Sequence, residues 1–414
     1  MDAQVSQRGL DLVAGGTALR SGSGWLARAW AGGWHRILDR IDAGLASGAI
    51  HTRLPDGTQR LLGGRAAGFE AEVEIKDWRA LLRLATTGSI GWYQSWEVGE
   101  WDSPDPVPLF ALFAANADSL GKTARARGPW RLMARGWHWL HRNTRAGSRR
   151  NVHAHYDLGN DFYAAWLDPT MVYSSARFNG QERSLQQAQQ AKLAAIAARI
   201  EGAAEVLEIG CGWGSLAAHL SACGMAVTAI SISDEQLAWA RDRHGQTVDF
   251  RKQDYRDIAG QFDAIASVEM VEAVGRAYWP DFFDCLARCL KPGGRAALQY
   301  ISIKETLFPG YAASADFIQA YVFPGGMLVS EAEFRRLAAE RGLEWSDQVN
   351  FGLDYAETLK VWRANFDRAV DEGRLPPGFD QRFAALWRYY LMYCEGGFRG
   401  GGIDVAQVTL IKPA

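Results

Sequence analysis

The chain has 414 residues, of which 48% are hydrophobic and 22% are charged, and its formal net charge is −2. These values are typical of a globular protein with room for two domains. The sequence contains no apolar stretch of about 18 residues and no cationic start before a long apolar run at its N-terminus, so we expect neither a transmembrane helix nor a signal peptide.

The first part of the chain alternates helical patterns with one strand-like segment. FEAEVEI, at residues 69–75, predicts a strand because apolar and polar side chains alternate along it. A helical pattern follows, and a Gly- and Trp-rich segment that ends in prolines predicts a loop. We find no nucleotide-binding motif in this region.

Residues 121–150 are strongly basic. They hold nine of the 45 Lys and Arg residues and no acid, which leaves 36 basic against 47 acidic residues in the rest of the chain. Trp130, Trp137 and Trp139 accompany the cations. Such a segment fits an anionic lipid surface, nucleic acid or a solvated linker helix, and its composition leaves all three open.

From about residue 200 the pattern becomes a repeated alternation of strand and helix. The predicted strands are EVLEIG (205–210), AVTAISIS (226–233), VDFRKQD (248–254), FDAIASVEM (262–270), RAALQYISI (295–303) and DVAQVTLIK (404–412). The predicted helices between them are SLAAHLSACG (215–224), DEQLAWARDRHG (234–245) and WPDFFDCLARCLKPGG (279–294). This order predicts a doubly wound α/β domain, with the last strand in or near the sheet edge.

A glycine-rich turn follows the first of these strands. Gly210, Gly212 and Gly214 are spaced G-x-G-x-G, and Glu208 precedes them within the strand. The spacing differs from the G-x-G-x-x-G of dinucleotide-binding turns. It is the pattern of S-adenosylmethionine-dependent methyltransferases, whose cofactor has no phosphate; another nucleotide site and a plain tight turn remain alternatives.

The next two strands end in polar residues that are candidates for the same ligand. Methyltransferases usually end the second strand with an acid, but this strand ends in serines. Ser231, Ser233 or Gln236 could therefore bind the ribose, and we expect Asp234 to cap the following helix. Asp254, at the end of the third strand, is placed to meet the adenine amino group.

Five cysteines occur without disulfide-like spacing, so we expect reduced thiols and a cytoplasmic protein. Cys285 and Cys289 lie four residues apart, with no second pair to complete a zinc site, and we expect no bound metal.

Further motifs resemble one family in their order and spacing. They are HAHYDLGNDFYAAWLDPTMVYSSARF (153–178), LEIGCGWGSLA, ISISDEQ, QDYRDI, SVEMVEAVG, FIQAYVFPGG, NFGLDYAETLKVW and YYLMYCEGGFR. Together they resemble the cyclopropane-fatty-acyl-phospholipid synthase family, including its mycolic acid-modifying relatives. The resemblance is strong from about 150 to 410 and weaker at GSIGWYQSWEVGEWDSPD (88–105).

The resemblance implies a Rossmann-like methyltransferase that acts on lipids. The family transfers a methyl group from S-adenosylmethionine to a cis double bond of an acyl chain in a phospholipid. A base then removes a proton from the new methyl group, and a cyclopropane ring closes. Loss of a proton from a neighbouring chain carbon would instead give a methylated alkene or a methylene group, which a separate reductase could saturate to a methyl branch.

The resemblance also implies roles for particular residues. Those matched to cofactor contacts are Tyr173, Ser174, Gly210, Gly212 and Gln236. Glu272 and Tyr355 match residues that hold a bicarbonate ion, the family's proposed base, and Ile301 matches a backbone contact to it. Cys394 matches a cysteine sometimes given an active-site role, although ring formation needs no thiol.

Two positions depart from the family pattern. Ser175 stands where the family usually has cysteine, and Gln299 stands where it often has histidine. Both would face the bicarbonate, and a serine or a glutamine can donate a hydrogen bond there, although the amide cannot ionise. Either the ion site persists with altered bonds or a different base acts.

The resemblance suggests how the chain divides into domains and which partners it has. We expect a smaller, mostly helical, lipid-engaging domain at 1–120, a basic linker at 121–150 that docks on the membrane, and the methyltransferase domain at 151–414. The expected partners are unsaturated phospholipids and the anionic inner face of the membrane, with a homodimer as the candidate assembly and no nucleic acid. A catalytically silent lipid- or partner-binding protein that kept the fold and a soluble small-molecule methyltransferase are the competing interpretations.

Overall fold

A computed structural model describes residues 31–121 and 158–414. The described residues form two compact units. The first unit contains residues 31–121 together with Thr306–Pro324 and Pro377–Ile403, and the second contains residues 158–305 with Gly325–Pro376 and Asp404–Ala414. Both units are thus discontinuous in sequence. Most of the predicted linker, 121–150, lies outside the described residues, and the predicted three-part division stays a prediction.

The elements of the described residues are numbered along the chain. The strands are β1 (Ala49–Arg53), β2 (Gln59–Gly63), β3 (Glu70–Ile75), β4 (Trp101–Asp102), β5 (Glu205–Ile209), β6 (Ala226–Ser231), β7 (Asp249–Lys252), β8 (Phe262–Val268), β9 (Leu290–Ile303), β10 (Glu344–Asn350) and β11 (Ile403–Ile411). The helices are α1 (Ala31–Gly44), α2 (Arg79–Thr87), α3 (Ser89–Glu97), α4 (Val107–Ala115), α5 (Ala117–Leu120), α6 (Asn160–Ala164), α7 (Leu185–Arg199), α8 (Ser215–Ala222), α9 (Asp234–His244), α10 (Trp279–Cys289), α11 (Phe308–Tyr311), α12 (Phe317–Tyr321), α13 (Glu331–Glu340), α14 (Gly352–Asp371) and α15 (Gln381–Arg399).

The first unit surrounds a four-stranded sheet with the order β2-β1-β3-β4. The predicted strand at 69–75 is confirmed as β3, whose alternate residues Ala71, Val73 and Ile75 are buried. The prediction of a loop after the second helix is wrong, because α3 forms there. Gly91 permits this helix to pack closely on α2: a Cβ at this position would lie 2.3 Å from the carbonyl oxygen of Arg83.

The second unit is built on a seven-stranded sheet with the order β10-β11-β9-β8-β5-β6-β7. Strands β9, β8, β5, β6 and β7 pair in parallel, and β10 pairs antiparallel with β11. Helices α7, α8 and α9 pack against the sheet through one buried apolar cluster. The predicted doubly wound α/β fold is therefore confirmed, and β11 lies one strand in from the sheet edge as expected.

Two local predictions in this unit require correction. Ser233, rather than Asp234, caps α9, because its side chain accepts a hydrogen bond from the backbone N–H of Gln236. A serine in extended backbone suits this position because its hydroxyl can reach the free N–H groups of the first turn. Strand β10 was missed because its sequence EWSDQVN is polar and lacks the alternation that marks a strand.

In the described part of the chain, no helix is both long enough and apolar enough to cross a bilayer.

Candidate active site

A cavity opens at the carboxyl ends of the parallel strands of the second unit. Its lining includes the ends of β5, β6 and β8 and the segment that follows β7. In a doubly wound sheet this edge is where ligands bind, because the strand-to-helix turns expose backbone groups there. The residues that line it and are used below are Tyr173, Ser174, Lys192, Glu208, Gly210, Gly212, Ser231, Gln236, Asp254 and Glu269.

The glycine turn forms one wall of this cavity. Gly210, Gly212 and Gly214 have positive φ angles of 83°, 52° and 88°, which other residues rarely adopt. A Cβ on Gly212 would meet no atom within 4 Å, so the turn is bare where it faces the cavity. A Cβ on Gly214 would lie 2.8 Å from Phe250, and Gly214 lies outside the lining. Its lack of a side chain therefore serves packing between helix and sheet.

Most of the other predicted cofactor residues also line the cavity. Tyr173, Ser174, Ser231, Gln236 and Asp254 are all in the lining, whereas Ser233 is occupied with capping α9 and lies outside it. The Asp254 carboxylate accepts hydrogen bonds from the Arg256 guanidinium, with Oδ2 2.6 Å from Nη2. A carboxylate has further lone pairs, so the predicted contact with an adenine amino group remains available to it.

The cavity contains a buried acid from the strand itself. Glu208 is 3% exposed, and its Oε2 is buried without a hydrogen-bond partner among the described residues. Burial raises the pKa of Glu208 to about 8, because the charged form loses its hydration there. An unpaired carboxylate oxygen is well suited to a ligand that carries positive charge.

Lys192 is a cavity residue that sequence reasoning missed. Its side chain is fully buried on α7, and its Nζ donates a 2.6 Å hydrogen bond to Ser174 Oγ. Burial lowers the pKa of Lys192 to about 8, while nearby carboxylates, including Glu269 and Glu208, oppose that shift. The available signal was a single lysine in a stretch of this helix that is otherwise uncharged, QQAQQAKLAAIAA (186–198).

A second missed residue, Glu269, is the centre of the candidate catalytic cluster. Its Oε1 accepts hydrogen bonds from the backbone N–H of Ser175 at 2.9 Å and from Gln299 Nε2 at 2.7 Å. Its Oε2 accepts a bond from the Tyr355 hydroxyl at 2.8 Å. Burial raises the pKa of Glu269, while the charge of Lys192 and these three donors favour its ionised form. Three of the predicted catalytic residues therefore meet at one carboxylate.

A series of hydrogen-bonded side chains fixes the orientation of Gln299. Its Oε1 accepts a 2.9 Å hydrogen bond from Gln407 Nε2, and Gln407 Oε1 in turn accepts one from Arg177 at 3.3 Å. The amide of Gln299 is thus held with its N–H group towards Glu269. Ser175 contributes only its backbone here, because its hydroxyl donates to the carbonyl of Ala176.

Glu272 and Ile301, the other predicted pair, contact each other directly. The backbone N–H of Ile301 donates to Glu272 Oε1, while Oε2 of Glu272 is buried without a partner among the described residues. Burial raises the pKa of Glu272 to about 8, and the charge of Glu269 adds to the shift. Glu272 is not in the cavity lining, whereas Glu269 is.

Cys394 lies on α15 in the first unit, so its predicted active-site role stays a prediction. Burial, with the charge of Asp316, raises the pKa of this thiol well above its usual range. The neutral thiol is a weak nucleophile.

The arrangement suits chemistry that develops positive charge. Three carboxyl groups, Glu208, Glu269 and Glu272, lie in or beside the cavity region, and Lys192 is the cation whose charge acts on Glu208 and Glu269. In a site of low polarity, fixed carboxylates stabilise a cation more strongly than water does. Tyr173 lines the cavity, and its ring packs near that of Trp362, with 5.3 Å between the ring centroids.

Comparison with known proteins points to one family. Residues 143–408 match the family model described as mycolic acid cyclopropane synthetase. Tuberculostearic acid methyltransferase UfaA1 of Mycobacterium tuberculosis is 36% identical over 356 residues, covering 80% of each chain. Cyclopropane-fatty-acyl-phospholipid synthase of Escherichia coli is 34% identical over 356 residues, covering 83% of this chain and 88% of that protein. The crystal structure of mycolic acid cyclopropane synthase CmaA1 complexed with SAH and CTAB is 26% identical with a TM-score of 0.59, covering 64% of this chain and 98% of that one.

Proposed function

Because this chain belongs to the mycolic acid cyclopropane synthetase family and is an S-adenosylmethionine-dependent methyltransferase, we propose that it methylates a cis double bond in an acyl chain of a membrane phospholipid. The proposed product is a cyclopropane fatty acyl chain. The name of the E. coli relative, a cyclopropane-fatty-acyl-phospholipid synthase, supports both the substrate class and the ring.

The observation that carries this proposal is a buried, hydrogen-bonded carboxylate in the lining of the cofactor cavity. An alkene is a poor nucleophile, and its attack on a methyl group leaves positive charge on carbon. Such a reaction needs a water-poor cavity, fixed negative charge and a proton acceptor close to the reacting carbon. Glu269 lies in the lining, and the carboxyl groups of Glu208 and Glu272, each with one unpaired oxygen, would add negative charge nearby when ionised.

The residues present fit the cofactor. S-adenosylmethionine supplies an electrophilic methyl group on a positively charged sulfur. The bare turn at Gly210 and Gly212 leaves space for its amino acid part, where Glu208 would accept from the amino group. Ser231 and Gln236 would bind the ribose hydroxyls, and Asp254 would bind the adenine amino group.

A second candidate function keeps the methyl transfer and changes the product. The positive charge on the acyl chain can also be discharged by loss of a proton from a neighbouring chain carbon, which gives a methyl-branched alkene. A hydride shift followed by proton loss from the new methyl group gives a methylene branch, and a separate reductase would have to reduce either product to a saturated methyl branch. The relative from M. tuberculosis, which is named a methyltransferase rather than a cyclopropane synthase, favours this alternative.

The phospholipid substrate implies contact with a membrane surface. Residues 121–150, with nine cations and no acid, are the segment of the sequence best suited to anionic headgroups. All of them except Gly121 lie outside the described residues. Sedimentation with anionic and neutral vesicles at low and high salt tests this step: we expect binding to anionic vesicles that salt weakens, and equal binding in all four conditions would contradict it.

The test of the function is expression in a bacterial host that makes no cyclopropane lipids, followed by mass spectrometry of its fatty acids. We expect a new acyl species one CH2 heavier than a monounsaturated precursor. The Gly212→Arg variant, which fills the bare turn, is the control and should give none. Unchanged fatty acids with a folded, cofactor-binding protein would contradict the proposal.

A further inference from the structure

The hydrogen-bond donors predicted to surround a bicarbonate ion already surround a side chain of this protein. The resemblance assigns Ser175, Gln299 and Tyr355 to the ion, and all three donate to the carboxylate of Glu269 at 2.7 to 2.9 Å. A carboxylate and a bicarbonate present the same planar pair of oxygens to such donors. The residues present therefore do not fit a separate bicarbonate at this place.

The backbone conformation of Glu269 is energetically unfavourable for a residue with a side chain. Its φ angle is 49°, in the left-handed region that glycine favours and glutamate rarely adopts. Its N–H still donates to the carbonyl of Gln299 at 2.8 Å, so the residue continues the pairing of β8 with β9. Strained residues of this kind persist where the surrounding structure fixes them, and they are concentrated at functional sites.

The two departures from the family pattern agree with this arrangement. A histidine at position 299 could donate or accept, and it could ionise beside a buried acid. The Gln299 amide, oriented by Gln407, can only donate towards Glu269. Gln299 is thus suited to holding a carboxylate that belongs to the protein itself, and it does not exchange a proton with that carboxylate.

We propose that the Glu269 carboxylate replaces bicarbonate as the proton acceptor of the methylation reaction. This inference rests on the proposed function, because it assumes that positive charge forms on an acyl carbon. In the step, one alkene carbon has bonded to the transferred methyl group and the other carries the charge. Glu269 takes a proton from the methyl group, and the electron pair of that C–H bond forms the second ring bond.

The proton balance closes without any further reactant. The alkene and the sulfonium cofactor give the ring, the neutral thioether and one proton, and that proton passes from the Glu269 carboxyl group to water after product release. Oε2 is the oxygen suited to accept it, because among the described groups it receives one hydrogen bond and Oε1 receives two. If the proton comes instead from a neighbouring chain carbon, the same carboxylate accepts it and a branched alkene results.

Two substitutions at position 269 separate this role from a structural one. Glu269→Gly suits the positive φ angle and leaves a carboxylate-sized space ringed by three donors. Glu269→Gln fills the space with a side chain that cannot take a proton. Asn179→Gly is the matched control, because Asn179 is exposed, lies outside the cavity lining and has a φ angle of 54°.

The assay is turnover on monounsaturated phospholipid vesicles in bicarbonate-depleted buffer, with and without added bicarbonate or formate. We expect the wild type and Asn179→Gly to be indifferent to both anions. Both Glu269 variants should lose about 10²-fold or more in turnover while still binding the cofactor product. Added bicarbonate or formate should restore turnover to Glu269→Gly in a saturable manner and should not restore it to Glu269→Gln.

Three results would overturn the inference: a wild type that needs bicarbonate, a Glu269→Gln variant with wild-type turnover, or a folded Glu269→Gly variant that no anion restores. Failure of the proposed function looks different, because the wild type would then transfer no methyl group to any phospholipid under either condition.

Discussion

Replacing Tyr355 with phenylalanine should shift the pH dependence of turnover to higher pH. The substitution removes one donor, the hydroxyl 2.8 Å from Glu269 Oε2, and leaves the buried ring in place. A hydrogen bond to a charged group contributes about 1.5–3 kcal/mol. Since about 1.4 kcal/mol corresponds to one pKa unit, the pKa of Glu269 should rise by about 1–2 units.

The sign follows from the protonation state that acts. Glu269 accepts a proton only when ionised, so a higher pKa moves the acid limb of the rate profile upward. The assay is turnover at saturating cofactor and lipid from acidic to alkaline pH, for wild type and Tyr355→Phe. Tyr300→Phe is the matched control, because the Tyr300 hydroxyl is buried without a hydrogen-bond partner among the described residues. Superimposable profiles for wild type and Tyr355→Phe would refute the assignment of Glu269 as the base.

Two further predictions concern the cofactor cavity. Because the pKa of Glu208 is raised to about 8, the carboxyl must lose a proton to pair with a positively charged ligand below that pH. The affinity for S-adenosylmethionine, measured by calorimetry, should therefore rise by up to about tenfold per pH unit and level off above pH 8. Glu208→Gln should remove this pH dependence. A pH dependence that survives in the variant would show that another group titrates. Gly212→Ala should weaken cofactor binding by about tenfold or more, since its methyl group would enter the cavity. Gly224→Ala, at another positive φ angle with open space around it, should lower only the melting temperature, and equal loss of binding in both would contradict the role of the turn.

The sequence was informative about the fold because the second unit repeats strand and helix with clear periodicity. The strands that end at Ile209, Ser231 and Val268 were all predicted within a few residues. Elements held by tertiary contacts were not predictable in the same way. Helix α3 depends on close packing against α2, and β10 is a polar strand that pairs with β11.

The candidate site was only partly predictable for a similar reason. Ser175, Gln299 and Tyr355 were identified through resemblance, but nothing in the segment SVEMVEAVG indicates which of its two acids faces them. The resemblance gave a role to Glu272 and none to Glu269. The ring around Glu269 is formed by three segments far apart in sequence, and only the folded chain brings their donors to one carboxylate.

The central claim is that the methyl group goes to an alkene carbon of a phospholipid acyl chain. The direct measurement supplies purified protein with vesicles of monounsaturated phospholipid and S-adenosylmethionine labelled in its methyl group, and follows the label by mass spectrometry of intact lipids and released acyl chains. We expect the label in the acyl chain, a gain of one CH2 group, one cofactor product per modified chain, and no labelling of saturated phospholipid. Label in the headgroup, or equal labelling of saturated phospholipid, would contradict the claim.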